Sequence, residues 1–283
     1  MATRPFADRW IVARLAQTVA RLDRSIDQYQ FNAFADTLYG FVWNDVCDRY
    51  LEMVKPTIDD DVEQQAVLGA VLDSVLRLMH PVMPFVTEAL WPNVSAARIG
   101  EIAGLELPAA DLLAGAAWPV ADERLADDDL VARFGRADDL IGRIRAIRGS
   151  QNVAPKKQID VHAPALVREL IDSVDGVVEV LAGIGAVHDS DGERPKVVSP
   201  IAFEGCEVLL SGLVDDVDLD AERARLQKVI DAKTKQIAGF NGRLSNEGFL
   251  ANAKPEVVAD TRALLAAAEA DLAAAESALT NLG

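Results

Sequence analysis

The apolar positions of the C-terminal stretch keep a heptad rhythm, and they keep it twice. Leu219, Arg223, Leu226, Ile230, Lys233, Ile237, Phe240 and Leu244 alternate steps of four and three, the spacing of a coiled-coil seam. Val258, Thr261, Leu265, Ala268, Leu272, Ala275, Leu279 and Leu282 repeat it. Pro255 lies between the two runs and can only open a new helix. Ser245-Asn246-Glu247-Gly248, just before it, is turn chemistry. The pattern therefore predicts two antiparallel helices. Leu244 faces Val258, Phe240 faces Thr261, Ile237 faces Leu265 and Lys233 faces Ala268. Ile230–Leu272, Leu226–Ala275, Arg223–Leu279 and Leu219–Leu282 continue the register. Small Ala268 leaves room for the aliphatic stem of Lys233.

The first half of the chain reads as helices with shorter links. Residues 8–28 are amphipathic, with Asp8 as a cap and Trp10, Ile11, Leu15, Val19, Leu22 and Ile26 on one face. Arg14, Gln17, Arg21, Arg24 and Gln28 line another. Residues 31–54 form a second helix whose aromatics (Phe31, Phe34, Tyr39, Phe41, Trp43, Tyr50) are expected mostly in the core. Residues 60–79 point Val67, Val71, Val75 and Leu78 inward. Pro81 ends that helix, and Pro84 starts a fourth, through Phe85 and Leu90 to Trp91. Residues 92–126 are rich in Ala, Gly and Pro and read as an excursion. A fifth helix spans 127–148, behind the acidic run Asp127-Asp128-Asp129.

After residue 157 the period changes. Ile159–His162, Ala186–His188, Val197–Phe203 and Glu207–Leu210 read as short strands, with a helix near 164–171. The expected fold is mainly α: a helix bundle over 1–126, a junction helix with a small α+β module over 127–214, and an antiparallel coiled-coil hairpin over 215–283.

Composition narrows the class. Half of the 283 residues are hydrophobic, so large cores are available. No apolar run approaches the roughly 20 residues of a membrane helix, and the start shows no signal-peptide hydrophobic region. Cys47 and Cys206 lie far apart in sequence and read as buried thiols in a reducing cytoplasm. The net charge of −17 argues against indiscriminate nucleic-acid binding, DNA included. Dense local patches can still bind. Residues 221–254 carry Arg223, Arg225, Lys228, Lys233, Lys235, Arg243 and Lys254 against Glu222, Asp231 and Glu247, a net +4. Residues 255–283 carry Arg262 against five acids, a net −4. Arg143, Arg145, Arg148, Lys156 and Lys157 fall in a stretch with no acid.

Catalytic constellations are missing. His80, His162 and His188 stand apart in sequence, at no metal-ligand spacing. There is no Gly-rich phosphate loop and no nucleophile elbow. The residues point to a binding module.

Ordered motifs then point to a family. Asp8-Arg9-Trp10-Ile11, Phe41-Val42-Trp43-Asn44-Asp45-Val46-Cys47-Asp48-Arg49-Tyr50-Leu51-Glu52 and His80-Pro81-Val82-Met83-Pro84-Phe85-Val86-Thr87-Glu88-Ala89-Leu90-Trp91 resemble the anticodon-binding domain of class I aminoacyl-tRNA synthetases for aliphatic amino acids. Ile144-Arg145-Ala146-Ile147-Arg148 with Asn152-Val153-Ala154-Pro155-Lys156-Lys157 is similar to the junction segment of the valine branch. Leu244-Ser245-Asn246-Glu247-Gly248-Phe249 with Ala253-Lys254-Pro255-Glu256-Val257-Val258 resembles the tip of its C-terminal coiled coil. The resemblance covers essentially the whole chain. The family's HIGH and KMSKS motifs and its editing domain are not in this sequence, and Arg49 stands where the family often has Trp.

The resemblance implies a C-terminal, tRNA-binding portion of an enzyme that activates valine with ATP and Mg and esterifies it to tRNA. It implies no cofactor in this chain, tRNA-Val as partner, a catalytic domain elsewhere (possible as a separate chain), a monomer, and a cytoplasmic site of action. Anticodon contacts fall to Arg14, Arg21, Trp43, Arg49 and Lys55. Backbone contacts at the junction fall to Arg145, Arg148, Lys156 and Lys157. In the arm, Arg225, Lys228, Lys235 and Arg243 face the tRNA elbow, with Lys233 beside the seam. Phe249 either stacks on elbow bases or plugs the open end of the seam. The competing reading is an interaction module whose hairpin binds a protein; an exposed second apolar stripe would support it.

Without ATP-binding motifs, the purified chain is expected to give no valine-dependent ATP–pyrophosphate exchange. Robust exchange would overturn the reading.

Overall fold

A computed structural model describes residues 4–97, 99–192, 195, 198–213 and 219–281. It is mainly α, as the periodicity predicts. The fold divides into two compact units: residues 1–137 with 173–181, and residues 138–172 with 182–283.

The first unit is a helix bundle. Helix α1 (Phe6–Asp27) buries Trp10, Ile11, Leu15, Val19 and Leu22. Ile26 is exposed instead, near the helix's end. Asp8 is not a cap either. Pro5 occupies that position without a side-chain bond. Asp8 sits one turn in, fully buried, where its Oδ1 accepts a hydrogen bond from the Tyr50 hydroxyl at 2.8 Å. Helix α2 (Phe31–Tyr39) runs into a π-helical segment (Gly40–Tyr50) and then α3 (Leu51–Val54).

The aromatics of this stretch split evenly. Phe34, Phe41 and Tyr50 are buried, whereas Phe31, Tyr39 and Trp43 are exposed. Spacing places residues on a common face but does not say which face meets the core.

Helix α4 (Val62–Met79) is capped by Asp61, whose carboxylate accepts from the Gln64 amide. It buries Val67, Val71, Val75 and Leu78. In α5 (Pro84–Ala97) only Thr87 and Trp91 are buried. Phe85 is 91% exposed, and Leu90 also faces solvent.

The excursion after α5 is more structured than its weak periodicity predicts. Strands β1 (Leu105–Glu106) and β2 (Val120–Ala121) pair antiparallel. Buried side chains of the preceding helices hold it down. Arg77 of α4 is buried and bonds Asp73, the carbonyl of Ala117 (2.8 Å) and the carbonyl of Pro108 (2.7 Å). Its guanidinium also lies 5.1 Å from the Trp91 ring centroid. Breaking a buried pair of this kind typically costs about 3–5 kcal/mol. From the other end, Glu88 accepts from the amides of Leu113 and Ala114.

Helix α6 (Asp128–Ser150) begins in the first unit, where Phe134 packs against Trp10 at 4.2 Å. Residues 173–181 also belong there. Asp175, at φ 52°, accepts from the Phe6 amide at 2.9 Å.

In the second unit a four-stranded sheet has the order β4-β3-β6-β5. Strands β3 (Ile159–Ala163) and β4 (Ile184–Asp189) are parallel, joined through α7 (Ala165–Asp172) and the unanticipated α8 (Val177–Ala182). Strand β6 (Cys206–Ser211) is antiparallel to β3 and to β5 (Ser199–Phe203). Glu204 and Gly205 both have positive φ in the two-residue turn between β5 and β6, the geometry that suits the strands' twist. Val197, expected in this strand, lies outside the described residues.

The parallel register sets His162 opposite His188, and their rings stack at 4.7 Å. The sequence separation of these histidines is thus removed by the fold. His162 is buried and bonds Ser211 at 2.9 Å. Among the described residues, no group of three or more His, Cys, Asp or Glu is arranged to hold a metal ion; both cysteines are free thiols, but Cys47 is exposed and Cys206 half-buried, not buried as expected.

Helices α9 (Leu219–Leu244) and α11 (Pro255–Asn281) pack as a hairpin, with the short α10 (Glu247–Asn252) at its tip. Leu226, Ala268 and Ala275 are buried in the seam, while Ile230, Ile237, Leu265 and Leu272 are half-buried. Two helices alone cannot enclose a seam. Closure comes where α11 also packs along β5, and Ala274, Ala275 and Ala278 of α11 are buried. The Leu219 and Leu282 side chains lie outside the described residues.

Burial pushes the Asp8 carboxyl above its ordinary pKa, while the Tyr50 hydrogen bond opposes the shift. A raised folded pKa means the native state holds the proton more tightly than the unfolded chain. The resulting stability is present below the unfolded value of about 3.9 and is lost as pH rises through the folded value. Asp8→Asn keeps an acceptor for Tyr50 and removes the buried charge. Urea melts should show the variant more stable than wild type at pH 7, with a gap that closes as pH falls. A variant less stable at pH 7 would contradict this.

Candidate nucleic-acid interface

The fold sorts the basic side chains into those presented to solvent and those engaged internally. On α1, Arg14 is engaged. Its Nε and Nη2 bond the Asp45 carboxylate at 3.0 and 2.7 Å, and its Nη1 bonds Gln17. Arg21, two turns further along the same face, is exposed. On the π-helical segment Arg49 is half-buried, with Asp48 at 4.0 Å. Lys55 is exposed and pairs with Glu52. These four therefore do not form one basic surface.

What the bundle does present is aromatic. Trp43 is 54% exposed and stacks on Tyr39, with centroids 6.2 Å apart and planes 9° apart. Tyr39 is absent from the residues expected at the site. Its place four residues before Trp43 was a usable signal, since such pairs share a helix face.

At the junction, Arg145 and Lys156 are exposed and Lys157 is half-buried. Arg148 requires a correction. It is buried, and its guanidinium donates to the carbonyls of Gly183 (3.2 Å), Ala154 (3.1 Å), Pro155 (3.4 Å) and Lys157 (2.8 Å). Burial pulls its pKa below the ordinary guanidinium value. This side chain is turned into the protein. Helix periodicity places Arg148 one turn beyond Ile144, on the buried face, and that signal was available.

In the arm, Lys228, Lys235 and Arg243 are exposed on α9. Arg225 is half-buried and donates to the Ser199 hydroxyl at 2.9 Å. Ser199 in turn accepts from Gln151 at 2.7 Å. Lys233 reaches Asp271 at 2.7 Å, and Arg143 approaches the same carboxylate at 3.9 Å. Arg143 also donates to the carbonyl of Ala202. Phe249 is half-buried, and its amide is capped by Asn246. Val257 and Leu264 are exposed one heptad apart on α11. The next position is Asp271, so this second apolar stripe is only two residues long.

Over residues 8–163, more than half of its length, the chain matches the anticodon-binding domain of tRNA ligases, and it belongs to that family. The branch is the valine one: residues 218–283 match the valyl tRNA synthetase tRNA binding arm. The chain is 33% identical to the valine–tRNA ligase of Rhodopirellula baltica, over 97% of this chain and 27% of that protein. It is 34% identical to that of Nocardia farcinica, over 98% and 30%. For the Caulobacter vibrioides enzyme the values are 35%, 97% and 30%. The chain thus spans under a third of the length of the relatives it matches. No helix among the described residues is long and apolar enough to cross a membrane.

Proposed function

We propose that this chain is the tRNA-placing portion of a valine–tRNA ligase. The observation that carries the reading is the coexistence of both family matches on one chain. The exposed cations of α9 support it from the physical side. Residues 1–126 meet the anticodon stem-loop, 127–214 contact the backbone, and 215–283 reach the elbow. Helix α9, at 26 residues, is about 39 Å long at 1.5 Å per residue, a length that suits a strut along tRNA. Activation of valine with ATP and Mg belongs to a catalytic region outside this chain, in the same or a separate polypeptide. The partner is tRNA-Val, the chain works as a monomer, and its compartment is the cytoplasm.

Placement matters for rate. A small displacement of a reacting end can cost about 100-fold, so a binding region without chemistry still governs catalysis. The acidic whole suits this role. It suppresses nonspecific phosphate binding at long range and leaves a few basic patches to set the contact.

The test of the arm is Lys228→Glu, Lys235→Glu and Arg243→Glu together. All three side chains are exposed, so melting should change little. Affinity for a tRNA-Val transcript is expected to fall, and log K should depend less steeply on log salt. Unchanged affinity would move the protein-partner reading of the hairpin ahead.

Tyr39 and Trp43 offer stacking surfaces for unpaired loop bases. Replacing both with Ala should weaken binding of the isolated anticodon stem-loop, at about 1–3 kcal/mol per lost stack, and leave stability within about 0.5 kcal/mol. Tryptophan fluorescence titration and thermal melts check both. Equal stem-loop affinity would remove the pair from the interface.

A further inference from the structure

The segment that follows α6 has little regular structure of its own, yet it adopts one shape. The Val153 amide bonds the Arg148 carbonyl at 3.0 Å, the Lys157 amide bonds that of Ala154 at 3.0 Å, and Asn152 stands at φ 53°. Three carbonyls of the segment, those of Ala154, Pro155 and Lys157, converge on one guanidinium, that of Arg148. The same group reaches the Gly183 carbonyl, which also accepts from the Ile159 amide at 3.1 Å. Arg148 therefore joins the segment to the points where β3 and β4 begin. Gly183 is matched to this approach. It has φ +69°, and a Cβ there would meet the Arg148 guanidinium at 3.2 Å.

We propose that Arg148 is a positioning residue for tRNA binding: it contacts no phosphate, and it holds residues 151–157 in the shape that presents Lys156 and Lys157 to the tRNA backbone. The inference rests on the tRNA-placing function proposed above. Its chemistry is specific to arginine. A guanidinium carries five donors in a planar fork and can serve several fixed carbonyls at once, whereas an ammonium is a compact charge with three. A lysine at this position would preserve a phosphate contact but would not preserve the clamp.

That difference defines the experiment, with Arg148→Lys, Gly183→Ala and the double variant Lys156→Ala/Lys157→Ala. Hydrogen exchange of amides 152–158, melting temperature, and the affinity and salt slope for a tRNA-Val transcript are measured on the full chain. Arg148→Lys is expected to speed exchange in 152–158 and to weaken tRNA about 5- to 30-fold, the effect of one or two kcal/mol, with the salt slope unchanged. Gly183→Ala, which keeps every charge, should act in the same direction. The double lysine variant should lower the slope by about one per lost phosphate contact.

Wild-type affinity in Arg148→Lys would overturn the proposal, and so would a fall in affinity without faster exchange. A slope that drops in Gly183→Ala, where no cation is removed, would equally refute the clamp. If the double lysine variant binds tRNA as wild type does, the junction is no RNA contact. That outcome sinks the wider reading of this segment and the positioning role with it, while the exchange data still report whether the clamp exists.

Discussion

Irregular backbone inside a folded protein needs hydrogen-bond partners, and here buried arginines supply them. A carbonyl removed from water without a donor costs about 1–3 kcal/mol, and loops cannot satisfy their carbonyls through a ladder of their own. Each compact unit meets this constraint in the same way. Arg77 ties the excursion after α5 to α4 through Pro108 and Ala117. Arg148 ties the segment after α6 to the sheet through Ala154, Pro155, Lys157 and Gly183. Arg77 has a buried carboxylate partner in Asp73, whereas carbonyl dipoles solvate Arg148. These two side chains help the irregular segments after α5 and α6 to keep a defined course.

The arm depends on a second constraint. A two-stranded coil leaves half of each seam residue in water, so its register alone gives limited stability. The root of the hairpin gains what the tip lacks. Helix α11, rich in small residues, packs on β5, and Arg143, Lys233 and Asp271 form a charged cluster. Arg225 and Gln151 share the hydroxyl of Ser199. Arg225 and Lys233 are thus engaged in fixing the arm, whereas Lys228, Lys235 and Arg243 are presented to solvent.

Much of this could be read in the sequence. The heptad steps set the pairing of α9 with α11, and the prolines at 81, 84 and 255 marked helix limits. The ordered motifs from Asp8 to Val258 identified the family. These are local or periodic signals, and the physics behind them acts over a few residues: turn geometry, side-chain spacing and the conformational limits of proline.

Other features became visible only in three dimensions. Periodicity put Phe31, Tyr39 and Trp43 in a helix that also holds Phe34, Phe41 and Tyr50, but not which trio met the core. Charge counting grouped Arg148 with Lys156 and Lys157, though one is buried and the others border solvent. Arg14 read as a surface cation until Asp45, on another helix, took its guanidinium. His162 and His188 read as isolated until a parallel register stacked them. For Arg14 and His162 the deciding neighbour lies tens of residues away, whereas most of the carbonyls that hold Arg148 come from the segment just after it. The sequence by itself determined most of the elements, the helical hairpin and the family. The tertiary structure decided which charges and rings remain available, because burial and long-range pairing are properties of the packed chain and not of any segment within it.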